Sequence, residues 1–185
     1  NWLYAGIVPA DPWRSAMTRP RELELRKIDG EYVLASKVVD EIDQIASDWK
    51  SLDGSRFKDM DAYQIRLTVD MTKENTWYLS NEDGDCLEFY VNPSSRMIVA
   101  KRNGATGVSS FSSSFSLPAL RLPILGDAAS VELDIYVDRS SVEMITSDGS
   151  SAMTMIVFPE QIYDSIECSV GKPDGKVRSL SRIWN

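Results

Sequence analysis

From Val131 to Val137 apolar and polar residues alternate at every second position, the period of a strand with one face buried and the other in water. Val131, Leu133, Ile135 and Val137 fall on one face, and Glu132, Asp134 and Tyr136 on the other. Asp138 to Ser141 turns the chain, and Val142 to Thr146 is a second apolar-rich run. Asp148-Gly149 is a strong hairpin signal, after which Met153, Met155 and Val157 begin a third strand. The stretch predicts a β-meander with Leu133, Ile135 and Val157 in the core.

The same rhythm extends through most of the chain. Ala62 to Met71 sends Tyr63, Ile65, Leu67 and Val69 inward against Gln64, Arg66 and Thr68. Thr76 to Ser80 and Cys86 to Val91 are two more strands, divided by the polar turn Asn81 to Asp85. Asn92 to Ser95 turns into Met97 to Lys101, and Ile166 to Val170 and Val177 to Trp184 finish the chain. Ser109 to Ser116 is serine-rich, but Phe111 and Phe115 interrupt it, so it reads as an ordered sheet-edge loop. Near the N-terminus, Leu23 and Leu25 lead through a turn at Ile28 to Glu31 into a run from Tyr32 to Val39. One stretch departs from the strand period. Val39, Ile42, Ile45, Ala46 and Trp49 recur three and four apart, which predicts a short linker helix. Seven or more short strands at even spacing predict an all-β fold, an antiparallel sandwich.

Composition narrows the chemistry. With 185 residues and 43% apolar content, the chain can hold about one domain with a real core and an appendage. A net charge of −8 argues against nucleic acid, whose binding depends on Lys and Arg neutralising phosphates. No run of about 18 uncharged apolar residues occurs, so no membrane-spanning helix is expected. The opening at Asn1-Trp2, without Met or a signal pattern, reads as a fragment or a processed form. The absence of His removes Ser-His-Asp triads, Cys-His pairs and His-bearing zinc sites from this chain alone. Cys86 and Cys168 form no Cys-x-x-Cys pair, and are either one disulfide or two buried thiols, the thiols favoured because each lies in an alternating apolar run. The acidic loop Asn81 to Asp85 lacks the spacing and closing Glu of a calcium loop and reads as a solvated turn. Asp174-Gly175, like Asp148-Gly149, reads as a turn. No metal and no cofactor is expected.

Two stretches carry a family resemblance. Val137-Asp138-Arg139-Ser140-Ser141-Val142-Glu143, then Asp148-Gly149, then Met153-Thr154-x-x-Val157-Phe158-Pro159, resembles the C-terminal β-sandwich signature of glycoside hydrolase family 32, which includes levanases, inulinases and invertases. Asn1-Trp2-x-Tyr4-Ala5, Pro12-Trp13-Arg14-Ser15 and Met17-Thr18-Arg19-Pro20-Arg21-Glu22-Leu23 are similar to the closing strands of that family's five-bladed propeller. The stretch between, including Lys101-Arg102-Asn103 and Phe111 to Phe115, follows the pattern more loosely. The resemblance implies that residues 1–37 are the last strands of an incomplete β-propeller, 38–50 a linker, and 51–185 the sandwich.

It also implies hydrolysis of β-fructofuranosyl bonds with retention, which needs two carboxyl groups about 5 to 5.5 Å apart. The family supplies them upstream of this region. Its Asn-Asp-Pro-Asn-Gly and Arg-Asp-Pro motifs are absent here, and Asp11-Pro12 follows Ala10. Glu167-Cys168 mimics the dipeptide around the family's acid/base Glu, but it lies after the sandwich signature, in an alternating strand, and lacks the following Pro. No catalytic residue is therefore expected in this chain. Trp2 is the one substrate-binding candidate, placed by the resemblance at the rim of the fructose pocket. Arg14 reads as a structural hydrogen-bond donor at the blade closure, and Trp13, Trp49, Trp77 and Trp184 as core.

The expected function is that of the C-terminal portion of a fructan β-fructosidase, with a fructan or sucrose-type substrate. The sandwich would itself be structural, and the parent enzyme extracellular, periplasmic or at the cell surface. The rivals are a non-catalytic carbohydrate-binding sandwich, whose sign would be a solvent-facing aromatic strip, and an oligomerisation module, whose sign would be an exposed apolar sheet face. Self-association through orphaned propeller strands is a further expectation.

Overall fold

A computed structural model describes residues 3–10, 14–54, 56–57, 59–102, 111–116 and 119–180. Its strands are β1 (Arg21–Ile28), β2 (Glu31–Val38), β3 (Lys50–Ser51), β4 (Tyr63–Asp70), β5 (Asn75–Ser80), β6 (Cys86–Asn92) and β7 (Met97–Arg102). They continue as β8 (Leu120–Pro123), β9 (Ser130–Asp138), β10 (Ser141–Thr146), β11 (Ala152–Ile156), β12 (Ser165–Cys168) and β13 (Gly175–Ser179). β1 and β2 form a two-stranded sheet. The others form a six-stranded sheet in the order β11-β10-β9-β4-β13-β3 and a five-stranded sheet in the order β12-β5-β6-β7-β8.

Register explains why the two larger sheets close on each other. On the inward face of the six-stranded sheet, Met155, Val142, Val137 and Tyr63 stand side by side on four strands. Trp77, Leu79, Leu87, Phe89, Ile98 and Leu122 answer them from the five-stranded sheet, and all are buried in one cluster. Leu133, Ile135 and Val157 are fully buried in that core, as the alternation predicts. Tyr63 brings its hydroxyl inside and satisfies it by donating to the Tyr163 carbonyl at 2.6 Å.

The outward face of the six-stranded sheet departs from the expectation of a solvated side. Thr154, Glu143, Tyr136, Gln64 and Arg178 line up across β11, β10, β9, β4 and β13, and the last four of them are buried. Val38, Ile42 and Ala46 pack over this row against Tyr136, Ile145 and Leu180. Buried polar groups need partners, and here they find one another. Asp134 accepts from Arg66 Nε and Nη2 at 2.7 and 3.0 Å, from Gln64 Nε2 at 2.8 Å and from Ser147 Oγ at 2.9 Å. Gln64 Oε1 in turn accepts from Arg178 Nε at 2.8 Å. Burial alone would lower the Arg66 pKa, but the Asp134 hydrogen bonds and charge outweigh it and raise it.

The predicted linker helix is realised as a six-residue 3-10 helix, Asp40–Ile45. Val39 before it and Ala46 after it are extended, and Ala46 bridges to Leu180. Trp49 leaves the helical face altogether and lies under Arg178, whose guanidinium carbon is 4.3 Å from the indole centroid. The bridge and the stacking on the sheet hold the chain extended where an α-helix would have continued.

Two glycines matter to the architecture. Gly149 has a φ of 75°, as its hairpin turn requires. Gly175 does not sit in a turn: it pairs with Leu67 on β4, where an added Cβ would collide with the Arg66 carbonyl oxygen. The cysteines are half-buried thiols that no disulfide joins. Cys86 pairs with Ser80 and Cys168 with Trp77, on opposite sides of β5 and three residues apart along it. That spacing exceeds the roughly 7 Å Cα limit for a disulfide.

Three mutations check this packing in urea melts. Leu133→Ala should cost about 2 to 5 kcal/mol through lost burial and the cavity left behind, and Glu132→Ala, at an exposed outward position, less than about 0.5 kcal/mol. The reverse order would place the strand out of register by one. Asp134→Ala should cost about 2 to 4 kcal/mol, because Gln64 and Arg66 lose their acceptor; Arg66 retains some solvent, which limits the loss.

Candidate functional site

The candidate site is the junction where the segment before residue 39 lies on the sandwich. Its polar centre is Glu143, whose side chain is 2% exposed. Glu143 is held in mid-sheet because β10 pairs with β9 on one side and β11 on the other. Its Oε1 accepts from the Arg19 backbone N–H at 3.0 Å and from Arg19 Nη1 at 2.9 Å, and its Oε2 accepts from Arg21 Nη2 at 2.7 Å. The Arg19 guanidinium also lies over the Tyr136 ring, 4.9 Å from its centroid. Burial is the main cause that raises the Tyr136 pKa, and the Asp134 charge adds to it.

Next to this clasp the β1–β2 hairpin rests on the β10–β11 turn. Ser36 N–H donates to the Gly149 carbonyl at 2.8 Å, and Arg26 Nη1 donates to the Asp148 carbonyl at 2.8 Å. A Cβ at Gly149 would come within 2.9 Å of the Lys37 nitrogen, so the turn and the hairpin backbone touch. A third contact is aromatic: Tyr4, Phe115 and Phe158 are buried together, with Phe111 at their side. Tyr4 meets Phe115 edge to face at 5.4 Å. This cluster borders an open cleft of about 760 Å³ whose wall includes Tyr4, Val8, Arg14, Thr154 and Phe158.

The hairpin's other face is bare. Leu25 opposes Leu34, with Leu23 and Tyr32 beside them on that face, and these four side chains are between 61% and 71% exposed. Among the described residues, nine large apolar side chains are exposed, and seven of them precede residue 38. The unsatisfied apolar surface is therefore a property of the N-terminal segment rather than of the sandwich.

The buried carboxylates offer no hydrolytic centre. Among the described residues they are Asp85, Asp134 and Glu143. Asp85 accepts from the Asn81 side chain and the Glu160 N–H, both at 3.1 Å, and the other two are held as described above. Glu167 is exposed on β12. It faces Tyr78, which faces Glu88 on the next strand. Two strand spacings, roughly 10 Å, thus separate the backbones of the two glutamates, with Tyr78 between them, a poor match to the 5 to 5.5 Å of a retaining pair. Arg14, expected as a structural donor, is exposed and makes no hydrogen bond among the described residues; it stands at the cleft wall instead. Trp2 lies outside the described residues, as do Trp13 and Trp184.

Sequence reasoning missed Glu143, Arg19 and Arg21 as a unit. The available signal was a lone Glu in the apolar run Val142 to Ile145 and two arginines around Pro20. All three lie inside the stretches that carry the family resemblance, which meet here in space.

The family model described as Glycosyl hydrolases family 32 C terminal matches residues 36–184. A levanase of Bacillus subtilis is 28% identical over 206 residues, spanning 100% of this chain and 30% of its own length. An extracellular exo-inulinase of Aspergillus niger is 26% identical over 209 residues, spanning 100% of this chain and 38% of its own. The crystal structure of the exo-inulinase from Aspergillus awamori superimposes with a TM-score of 0.83 at 21% identity, over 100% of this chain and 39% of that one, a likeness of fold. The chain thus spans about a third of the length of the relatives it matches. It belongs to glycoside hydrolase family 32 and carries that family's C-terminal domain.

Proposed function

We propose that this chain is the C-terminal portion of a β-fructosidase that hydrolyses β-fructofuranosyl bonds of a fructan or of sucrose, with retention through a fructosyl-enzyme intermediate. In this reading the catalytic carboxylates lie upstream. Residues 1–37 are the closing strands of the catalytic propeller, 38–50 the linker and 51–185 a sandwich that supports the propeller from its flank. Trp2 contributes to the rim of the fructose pocket, and the parent protein works outside the cell, as the Aspergillus relative does by its name.

The observation that carries the reading is the bare hairpin face in a chain of this family. A two-stranded sheet is marginal on its own, and one that exposes Leu23, Leu25, Tyr32 and Leu34 is suited to pack under further strands. The carbohydrate-binding rival finds less support. Of the two tryptophans described, Trp77 is buried and Trp49 lies under Arg178. On the outward face of the five-stranded sheet Tyr78 is exposed, but Tyr90 on the next strand is half-buried, so the two do not make an exposed aromatic strip.

Incubated with levan, inulin or sucrose, this chain should release no fructose above a blank, whereas the longer parent should release it from at least one of the three. Turnover by this chain that is abolished in Glu167→Gln would reinstate Glu167 as catalytic. A parent inactive on every β-fructoside would sink the proposed activity.

The bare face should also make this chain self-associate. Sedimentation velocity should show concentration-dependent dimers that Leu25→Glu with Leu34→Glu removes, since two charges on the face oppose its burial. Dimers that persist unchanged in that variant would place the contact elsewhere.

A further inference from the structure

We propose that Glu143 is the positioning residue that fixes how residues 14–38 sit on the sandwich, and that through them it sets the orientation of the catalytic part of the parent protein. The second half rests on the proposed function; the first stands on this chain alone.

The other contacts of the segment with the sandwich each lack burial, charge or direction, the Ser36–Gly149 backbone hydrogen bond being uncharged. The Arg26–Asp148 pair is 37% and 46% exposed at its two side chains, and surface pairs of that kind hold little. The contacts of Val38 and Tyr4 are apolar and impose no direction. Glu143 differs in being buried, charged and directional. Charge-assisted hydrogen bonds are short and angle-dependent, and three of them converge on one carboxylate from two residues of the same segment.

The spacing of those residues makes the grip rigid. Pro20 lies between Arg19 and Arg21 and locks its own φ, so each guanidinium reaches a different oxygen of the one carboxylate. Arg21 then passes the constraint to the hairpin, donating from Nη1 to Ser36 Oγ on β2 at 3.3 Å. On the other side, Glu143 cannot drift, because its strand pairs on both edges. A residue fixed in the sheet is thus tied to the first residue of β1 and to the middle of β2. Buried ion pairs add little net stability over apolar packing, and their best-attested use is to specify one arrangement among several. The placement of Glu143 between two structural units fits that use.

The test is amide hydrogen exchange on this chain, comparing wild type with Glu143→Gln. The glutamine keeps the shape but removes the charge and places an amide donor against the arginines. Exchange across β1 and β2 should speed up by at least about tenfold, since an undocked two-stranded hairpin frays, while β4 and β9 keep their wild-type rates. The double variant Arg19→Ala with Arg21→Ala leaves the sandwich sequence intact, and should give the same pattern even if Glu143→Gln does not fold. Arg21→Lys in the Arg19→Ala background should recover part of the protection lost in that double variant, because a charge is restored at position 21.

Two results would overturn the proposal. Unchanged exchange in β1 and β2 would show that the clasp positions nothing, and an equal rise across β4 and β9 would show that it only stabilises the sandwich. In the parent protein, Glu143→Gln should split a single thermal transition into two, and a single transition retained would overturn the second half of the proposal. A parent with no β-fructosidase activity would defeat the proposed function and leave the exchange result standing.

Discussion

A carboxylate taken out of water must be paired, or it costs several kcal/mol, and this fold buries two of them on the outward face of its larger sheet. Asp134 is paired within the sandwich, by Arg66, Gln64 and Ser147. Among the described residues, Glu143 is paired by two that precede the sandwich, Arg19 and Arg21. The sheet on that side is therefore finished only when the N-terminal segment is laid across it. The same segment brings the 3-10 helix and Val38 over Tyr136 and Ile145, so polar pairing and apolar cover arrive together. One buried carboxylate thus couples two parts of the chain, alongside the uncharged backbone hydrogen bond from Ser36 to Gly149.

The segment so held leaves one of its own faces bare. Its inner face touches the Asp148–Gly149 turn, while its outer face presents four large apolar side chains to solvent. Monomeric proteins rarely leave such a patch uncovered. In a chain that spans about a third of the length of its relatives, the hairpin reads as a bridge, clasped to the sandwich on one side and bare on the other. In the proposed function the sandwich is the platform on which that bridge rests.

Much of this was legible in the sequence because the two-residue period marks the apolar inward residues of a strand whether or not its other face is covered. Tyr63 to Val69 and Leu133 to Val137 place their inward residues as read, and Asp29-Gly30 and Asp148-Gly149 turn where they should, at positive φ. The outward face was not legible. Asp134, Tyr136 and Glu143 have the polarity of solvent-facing residues, and alternation cannot tell a polar residue in water from one paired under another segment. The linker failed for a related reason. Its apolar spacing is helical, but the Ala46 bridge to Leu180 and the stacking of Trp49 on the sheet override it after one short 3-10 helix. The site was legible only in part: the family could be read from motifs, whereas the contact between those motifs could not.

The claim that the N-terminal hairpin is clasped to the sandwich on one face and built to be covered on the other can be measured directly by hydroxyl-radical footprinting. Leu23, Leu25, Tyr32, Leu34 and the 95% exposed Met17 serve as reporters, and this chain is compared with the longer parent protein. The account predicts strong labelling of the four hairpin side chains in this chain and marked protection of them in the parent, with buried Leu133 and Ile135 silent in both. Equal labelling of the hairpin in the two proteins would contradict it.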